Sequence, residues 1–267
     1  MTTTHPLAEF TEVHRDRWGR PLIIPPGGGK PKAYTRTSTM CKTLDDQSGL
    51  MKWGQRQTVL GLANRPDLMT LARSARDDVK ALGRIVTDAM EAAGSSAAAN
   101  RGTALHAFAE QVDGGHDADI PDEYAGDIAA YVAATASLDV VLAEKFVVCD
   151  ELEVAGTFDR LYRLPSGQLM IGDLKTGSNA ARYSNATAMQ IALYSRSQLY
   201  DPATGERTPL PGPVNLEAGL LIELPAGLGT CSVHKLDLTV AWEFAQVARD
   251  VREWRKHRPD TLLWSAP

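Results

Sequence analysis

Near residue 138 the hydrophobic period of this chain changes, and that change constrains the fold more than any other feature. Up to that point apolar residues recur at helical spacing. After it come three short apolar runs, at 140–148, 154–164 and 169–175, separated by only a few residues each. Runs of this length, rich in branched and aromatic residues and bounded by turn formers, read as strands. Connections this short leave no room for a crossover helix, so the three strands must form an antiparallel meander. Pro165-Ser166-Gly167-Gln168 supplies the turn chemistry between the second and third.

The remaining elements fit around that meander. One helix is expected over 64–93, with Leu68, Leu71, Ala72, Ala75, Val79, Leu82, Ile85, Val86, Ala89 and Met90 at its spacing, Asn64 as N-cap and Gly94 as stop. A second, over 100–112, carries Gly102, His106 and Glu110 on one side, with Leu105, Phe108 and Ala109 left for packing. After a polar loop at 113–119 a helix is expected over 121–138. Beyond the meander follow a helix at 181–200, strands at 218–224 and 231–238, and an amphipathic helix at 240–257. The order is that of an α/β sandwich around a mixed sheet.

The N-terminal third is less regular. Prolines 21, 25, 26 and 31 and the Gly27-Gly28-Gly29-Lys30 run oppose regular structure, so 1–33 reads as an irregular arm. The glycines invite a phosphate-loop reading, but Ile24 stands where its first Gly belongs and Pro31 follows Lys30. Residues 34–60 interleave Tyr34, Arg36, Lys42, Trp53 and Arg56 among hydroxyls, a pattern that can hold a nucleic-acid strand. The reading adopted is plainer: a helical cap in which Trp53 and Leu60 are core residues. The organisation expected is an arm at 1–33, a helical region at 34–99 and a core at 100–267.

Composition excludes some classes. With 43% apolar residues in 267, the chain can bury a full core, and no run of eighteen apolar residues suggests a membrane span. Residues 1–10 lack a signal pattern, and Cys41, Cys149 and Cys231 form neither a disulfide framework nor a CxxC metal site, so a cytoplasmic protein is expected. The net charge of −5 is unevenly spread: residues 1–60 carry +4 and residues 101–175 carry −9. Carboxylate-rich sequence beside basic sequence suits a metal site that meets a polyanion.

The third strand ends in Ile171-Gly172-Asp173-Leu174-Lys175-Thr176-Gly177. Alternation puts Leu169, Ile171, Asp173 and Lys175 on one face and Met170, Gly172 and Leu174 on the other. The strand therefore leaves the core with a carboxylate beside an ammonium. Gly156-Thr157-Phe158-Asp159 in the preceding strand supplies a second carboxylate, fourteen residues before Asp173. Two carboxylates and a lysine at one sheet end are costly unless a cation or solvent meets them. An oxygen-rich set of this kind favours Mg²⁺ or Mn²⁺.

Gly102-Thr-Ala-Leu-His106, Gly156-Thr-Phe-Asp159, Asp173-Leu-Lys175-Thr-Gly and Gln190-Ile-Ala-Leu-Tyr194 together resemble the ordered motifs of the PD-(D/E)xK nucleases. The similarity is to the RecB-type branch, which includes phage-encoded exonucleases, and it spans about residues 100–240. It implies a restriction-endonuclease-like core and a metal-dependent deoxyribonuclease, an exonuclease in recombination, replication or repair of phage or bacterial DNA. Asp159 and Asp173 are then metal ligands, with His106 and the Leu174 carbonyl completing the set. Lys175 positions water or neutralises charge on phosphorus, Gln190 and Tyr194 brace Lys175 or touch DNA, and Glu144 matches an additional acidic position of that branch. The partners implied are DNA ends and a recombination or strand-annealing protein. One related group, the CRISPR-adaptation exonucleases, carries an iron–sulfur cluster on one early and three late cysteines; here Cys231 alone is late, so no cluster is expected. A non-catalytic DNA-binding or scaffold subunit of the same fold, or an endonuclease, are the alternatives.

Overall fold

The structure, a computed structural model, describes residues 12–116, 118–261 and 264. Residues 1–11 of the expected arm, and Asp117 of the loop at 113–119, lie outside the described residues. The expected meander is present. Strands β4 (Asp139–Cys149), β5 (Val154–Arg163) and β6 (Leu169–Lys175) pair antiparallel in sequence order.

The chain before the meander departs from expectation in two places. Residues 12–33 are not irregular throughout: β1 (Leu22–Ile23) and β2 (Lys32–Ala33) pair as a small ribbon, and the Tyr200 hydroxyl accepts the Ile24 N–H at 2.9 Å. Next, β3 (Thr35–Arg36) runs parallel to the start of β5, and α1 (Thr37–Cys41) drops Met40 and Cys41 into the core. The single helix expected over 64–93 is two, preceded by a third that ends at residue 64. Helix α2 (Ser48–Asn64) ends at the proposed N-cap, α3 (Pro66–Ser74) starts on Pro66, and α4 (Val79–Ala92) begins afresh. The second break has a cap: the Asp78 carboxylate accepts the N–H groups of Lys80 and Ala81, offering the backbone an alternative to continuing the helix. Gly94, at φ +79°, ends α4 as expected. Leu60 is 55% exposed and so is not a core residue, whereas Trp53 is half-buried.

Helices α5 (Ala97–Asp113) and α6 (Asp122–Thr135) precede the sheet. The helix expected over 181–200 is the shorter α7 (Asn185–Ser195). Beyond it the hydroxyls of Ser195 and Ser197 turn back onto the carbonyls of Ile191 and Leu193, and β7 (Gln198–Tyr200) leaves to pair with β4. An unpaired edge of β4 outbids helix propensity there. Strands β8 (Arg207–Thr208), β9 (Ala218–Glu223) and β10 (Ser232–Asp237), then α8 (Thr239–Trp254), complete the chain.

The main sheet runs β10-β9-β6-β5-β4-β7-β8, with β3 beside β5. It is mixed, because β9 runs parallel to β6. One face packs on α5 and α6 through Leu105, Tyr131, Tyr162, Met170, Leu174 and Ile222. The other meets α7 and α8 through Phe158, Leu161, Ile171, Ile191 and Leu238. Helices therefore flank both faces of a large mixed sheet. No helix among the described residues is long and apolar enough to cross a membrane.

Candidate active site

The site lies where β5 and β6 part. Their ladder ends at Arg160↔Gly172, and β3 takes the same edge of β5 only at Val154 and Ala155. Between those pairings no strand among the described residues meets Gly156 to Asp159 on that edge. Asp159 fills the gap with its side chain, its Oδ2 accepting the Leu174 N–H at 2.8 Å. The carboxylate thus stands in for a missing carbonyl, and the two strands open around it.

Asp173 follows on β6, on the face predicted by alternation. Its side chain is 1% exposed and pairs with the Lys175 ammonium, which lies against Oδ2. Neither carboxylate oxygen has a well-formed hydrogen bond among the described residues. Burial pushes the Asp173 acid far above the usual carboxylate range; the neighbouring charge of Asp159 adds to this and Lys175 opposes it. For Lys175, burial disfavours the ammonium, but Asp173 and Asp159 outweigh it and its pKa rises.

Helix α5 delivers His106 to the opposite side of the opening, its Nδ1 3.7 Å from Asp159 Oδ2. Burial lowers the His106 pKa, against the pull of Asp159 and with the help of Arg160 and Lys175, so the ring is neutral at pH 7. The helix comes this close because Gly102 has no side chain: a Cβ there would stand 2.6 Å from Thr176 Oγ1. Gly156 serves the same end on β5, where a Cβ would meet the hydroxyls of Thr37 and Tyr194 at 2.6 and 2.8 Å.

Glu144 reaches the site from β4. The flanking pairs Ala143↔Arg160 and Lys145↔Phe158 put it opposite Asp159, and its φ of +49° lies in the left-handed region that disfavours a side chain. Burial, then the charge of Asp159, raises its pKa to about 7. Tyr194 on α7 is 4% exposed, and burial raises its pKa, so it stays a neutral phenol. Gln190, one turn earlier, is half-buried, and among the described residues no hydrogen bond joins it to Lys175.

Sequence reasoning missed a buried cation behind these acids. Arg160 is 0% exposed; its Nε donates to Asp113 Oδ2 at 2.7 Å, and its Nη1 lies 3.9 Å from Glu144. The Tyr131 hydroxyl donates to the same Asp113 and meets the Tyr162 hydroxyl at 3.2 Å. An arginine inside the apolar run Phe158–Tyr162 was the available signal, since buried guanidinium needs a partner.

Among the described residues no three His, Cys, Asp or Glu side chains are gathered as a metal-ligand set, so the expected grouping of His106, Asp159 and Asp173 is not closed. The donors nevertheless suit a hard divalent cation. Asp173 offers two buried oxygens without hydrogen bonds, and Asp159 keeps an oxygen free of the Leu174 contact. No protein-family model and no curated protein matches the chain.

Proposed function

We propose that the chain is a metal-dependent deoxyribonuclease of the PD-(D/E)xK type with a restriction-endonuclease-like core, acting as an exonuclease on DNA ends. The observation that carries the reading is Asp173: a carboxylate 1% exposed, without hydrogen bonds, beside Lys175 at the open end of a central strand. Lys175 offsets only part of the cost of burying Asp173 beside a second carboxylate, Asp159, and a further cation would offset the rest. That Asp159 and His106 come to the same opening from two other elements supports it further.

In this reading Asp159, Asp173 and the Leu174 carbonyl hold Mg²⁺ or Mn²⁺, with His106 as the nitrogen donor. Such a cation, when bound, would supply polarisation of a phosphate oxygen and a lowered pKa for water. The chain's own groups do the rest. Lys175, kept charged by its two acidic neighbours, neutralises charge that grows on phosphorus. Glu144, with a pKa near working pH, can hold or release the proton of the attacking water. Tyr194 and Thr37 wedge β5 against α7 and fix the Asp159 strand. A recombination or strand-annealing partner would deliver the DNA end.

The test is end-labelled linear DNA against closed circular DNA, each with Mg²⁺ or Mn²⁺. Loss of label from the linear form, abolished in Asp173→Ala and Lys175→Ala while DNA binding survives, supports the reading. Cleavage that persists in both variants overturns it.

A further inference from the structure

Of the aromatic and basic residues interleaved at 34–60, Tyr34 is buried and donates its hydroxyl to Asp150 at 2.6 Å, whereas Arg36 is exposed. Residues 12–36 carry six Lys/Arg against two Asp/Glu. Their tight turn at 15–20 is built around Asp16, whose Oδ1 accepts the N–H groups of Trp18 and Arg20 at 2.9 Å each. Gly19, at φ +74°, allows the reversal, and Arg15 donates to its carbonyl at 3.1 Å.

The turn presents Trp18, 62% exposed, with the guanidinium of Arg17 4.0 Å and that of Arg20 5.0 Å from its ring centre. Exposed Arg36 reaches to the same turn, its Nη1 within 3.9 Å of where a Gly19 Cβ would stand. From the other side comes the end of α8. Arg252 there is half-buried, and its charge is disfavoured by burial and then by Arg255 and Arg20. Of these six arginines only Arg20 has a carboxylate partner among the described residues, namely Asp16. The two acids in the last turns of α8 pair with other cations, Asp250 with Arg249 and Glu253 with Lys256.

We propose that the 15–20 turn, Arg36 and the last turn of α8 form a second nucleic-acid contact, which grips a phosphodiester strand beside the carboxylate site. Cations that outnumber the acids beside them, here Asp16 and Glu253, are relieved by a polyanion. Guanidinium groups held over an indole lose little freedom when a phosphate docks, and the exposed ring gives a base a face to stack on. The position fits. Arg36 ends β3, and α1 leads directly from it to Cys41, which feels the charges of Asp173 and Lys175. Five helical residues span about 8 Å, so the two surfaces adjoin. The role given to this contact rests on the nuclease reading; its existence does not.

The experiment uses the full chain and a short fluorescein-labelled DNA strand, in EDTA so that no cleavage occurs. Arg17→Ala/Trp18→Ala and Arg255→Ala leave Asp16 and the turn in place. The double variant should bind about tenfold more weakly, the scale of one lost base stack. Each lost phosphate contact should lower the slope of log K against log salt by about 0.7. Binding and slope equal to wild type would overturn the proposal, as would variants that lose only polyglutamate or anionic-vesicle binding. If wild type cuts DNA and the variants bind normally, the contact fails and the nuclease reading stands. If wild type cuts nothing while the variants lose DNA binding, the contact stands alone.

Discussion

Asp159 Oδ2 accepts the backbone N–H of Leu174 at 2.8 Å, so one carboxylate both closes the gap between β5 and β6 and faces the candidate metal position. The two duties are separable. Asp159→Asn keeps an oxygen that can accept the N–H but carries no charge; Asp159→Ala keeps neither. Denaturant unfolding should show the Ala variant destabilised by about 1–3 kcal/mol, the cost of a buried donor left unpaired. The Asn variant should stay close to wild type. Both should lose DNA cleavage by a factor of at least about a thousand, since removal of a charged catalytic group costs on that scale. An active Asn variant would confine Asp159 to the structural duty.

His106 bears on the choice of metal. Its ring is neutral at pH 7 and 3.7 Å from Asp159, and imidazole suits Mn²⁺ better than Mg²⁺. Mn²⁺ should therefore support cleavage at least as well as Mg²⁺. It should also raise the melting temperature of the wild type more than that of His106→Ala, because a ligand that binds only the native state stabilises it. Activity with Mg²⁺ and strict inhibition by Mn²⁺ would remove His106 from the ligand set.

Glu144 sets a pH dependence whose sign is unusual for a carboxylate. Its pKa in the fold is raised to about 7, above its ordinary value, so the native state holds the proton more tightly than the unfolded chain. Stability from this group is present at low pH and is lost as pH rises from the ordinary carboxylate range through about 7. Asp173 acts in the same direction. The Glu144 side chain is 36% exposed, so solvent screening reduces the effect to about 1 kcal/mol, or about 2–4 °C. In EDTA the melting temperature should fall by at least that amount between about pH 5 and pH 7.5, and Glu144→Gln should make the fall shallower by the Glu144 share. A wild-type melting temperature that rises over this window would contradict the placement of Glu144.

What the sequence disclosed, and what it hid, follows from the reach of each signal. The meander was legible because period-two patterning and short connections act over a few residues, and β6 spans the same residues, 169–175, as the sequence run. Asp159, Asp173 and Lys175 were legible because strand alternation fixes their faces. The break at Asp78 and the early end of α7 were not. Each turns on a side chain or strand edge competing for backbone groups, which helical periodicity does not register. Arg160 escaped because its partner Asp113 lies forty-seven residues away on another element. Glu144 was singled out only through the resemblance, and its φ of +49° has no signal in the sequence.

Gly102 offers a test of how tightly α5 must sit. A Cβ at that position would stand 2.6 Å from Thr176 Oγ1 and 3.7 Å from Thr176 Cβ, so the conflict is with one hydroxyl. The Thr176 backbone cannot simply move aside. Its carbonyl accepts the Ala226 N–H at 3.1 Å, which ties the end of β6 to the β9–β10 connection. Gly102→Ala should therefore push α5 and His106 away from Asp159 and cost about 1–3 kcal/mol, the usual penalty of overpacking. Thr176→Ala removes the obstructing atom and leaves 3.7 Å, an ordinary contact. The double variant should regain most of the stability and the Mn²⁺-induced melting shift, with a coupling of about 1–2 kcal/mol in the cycle. Additive losses would mean that the helix yields elsewhere and that Gly102 does not set the distance between His106 and Asp159.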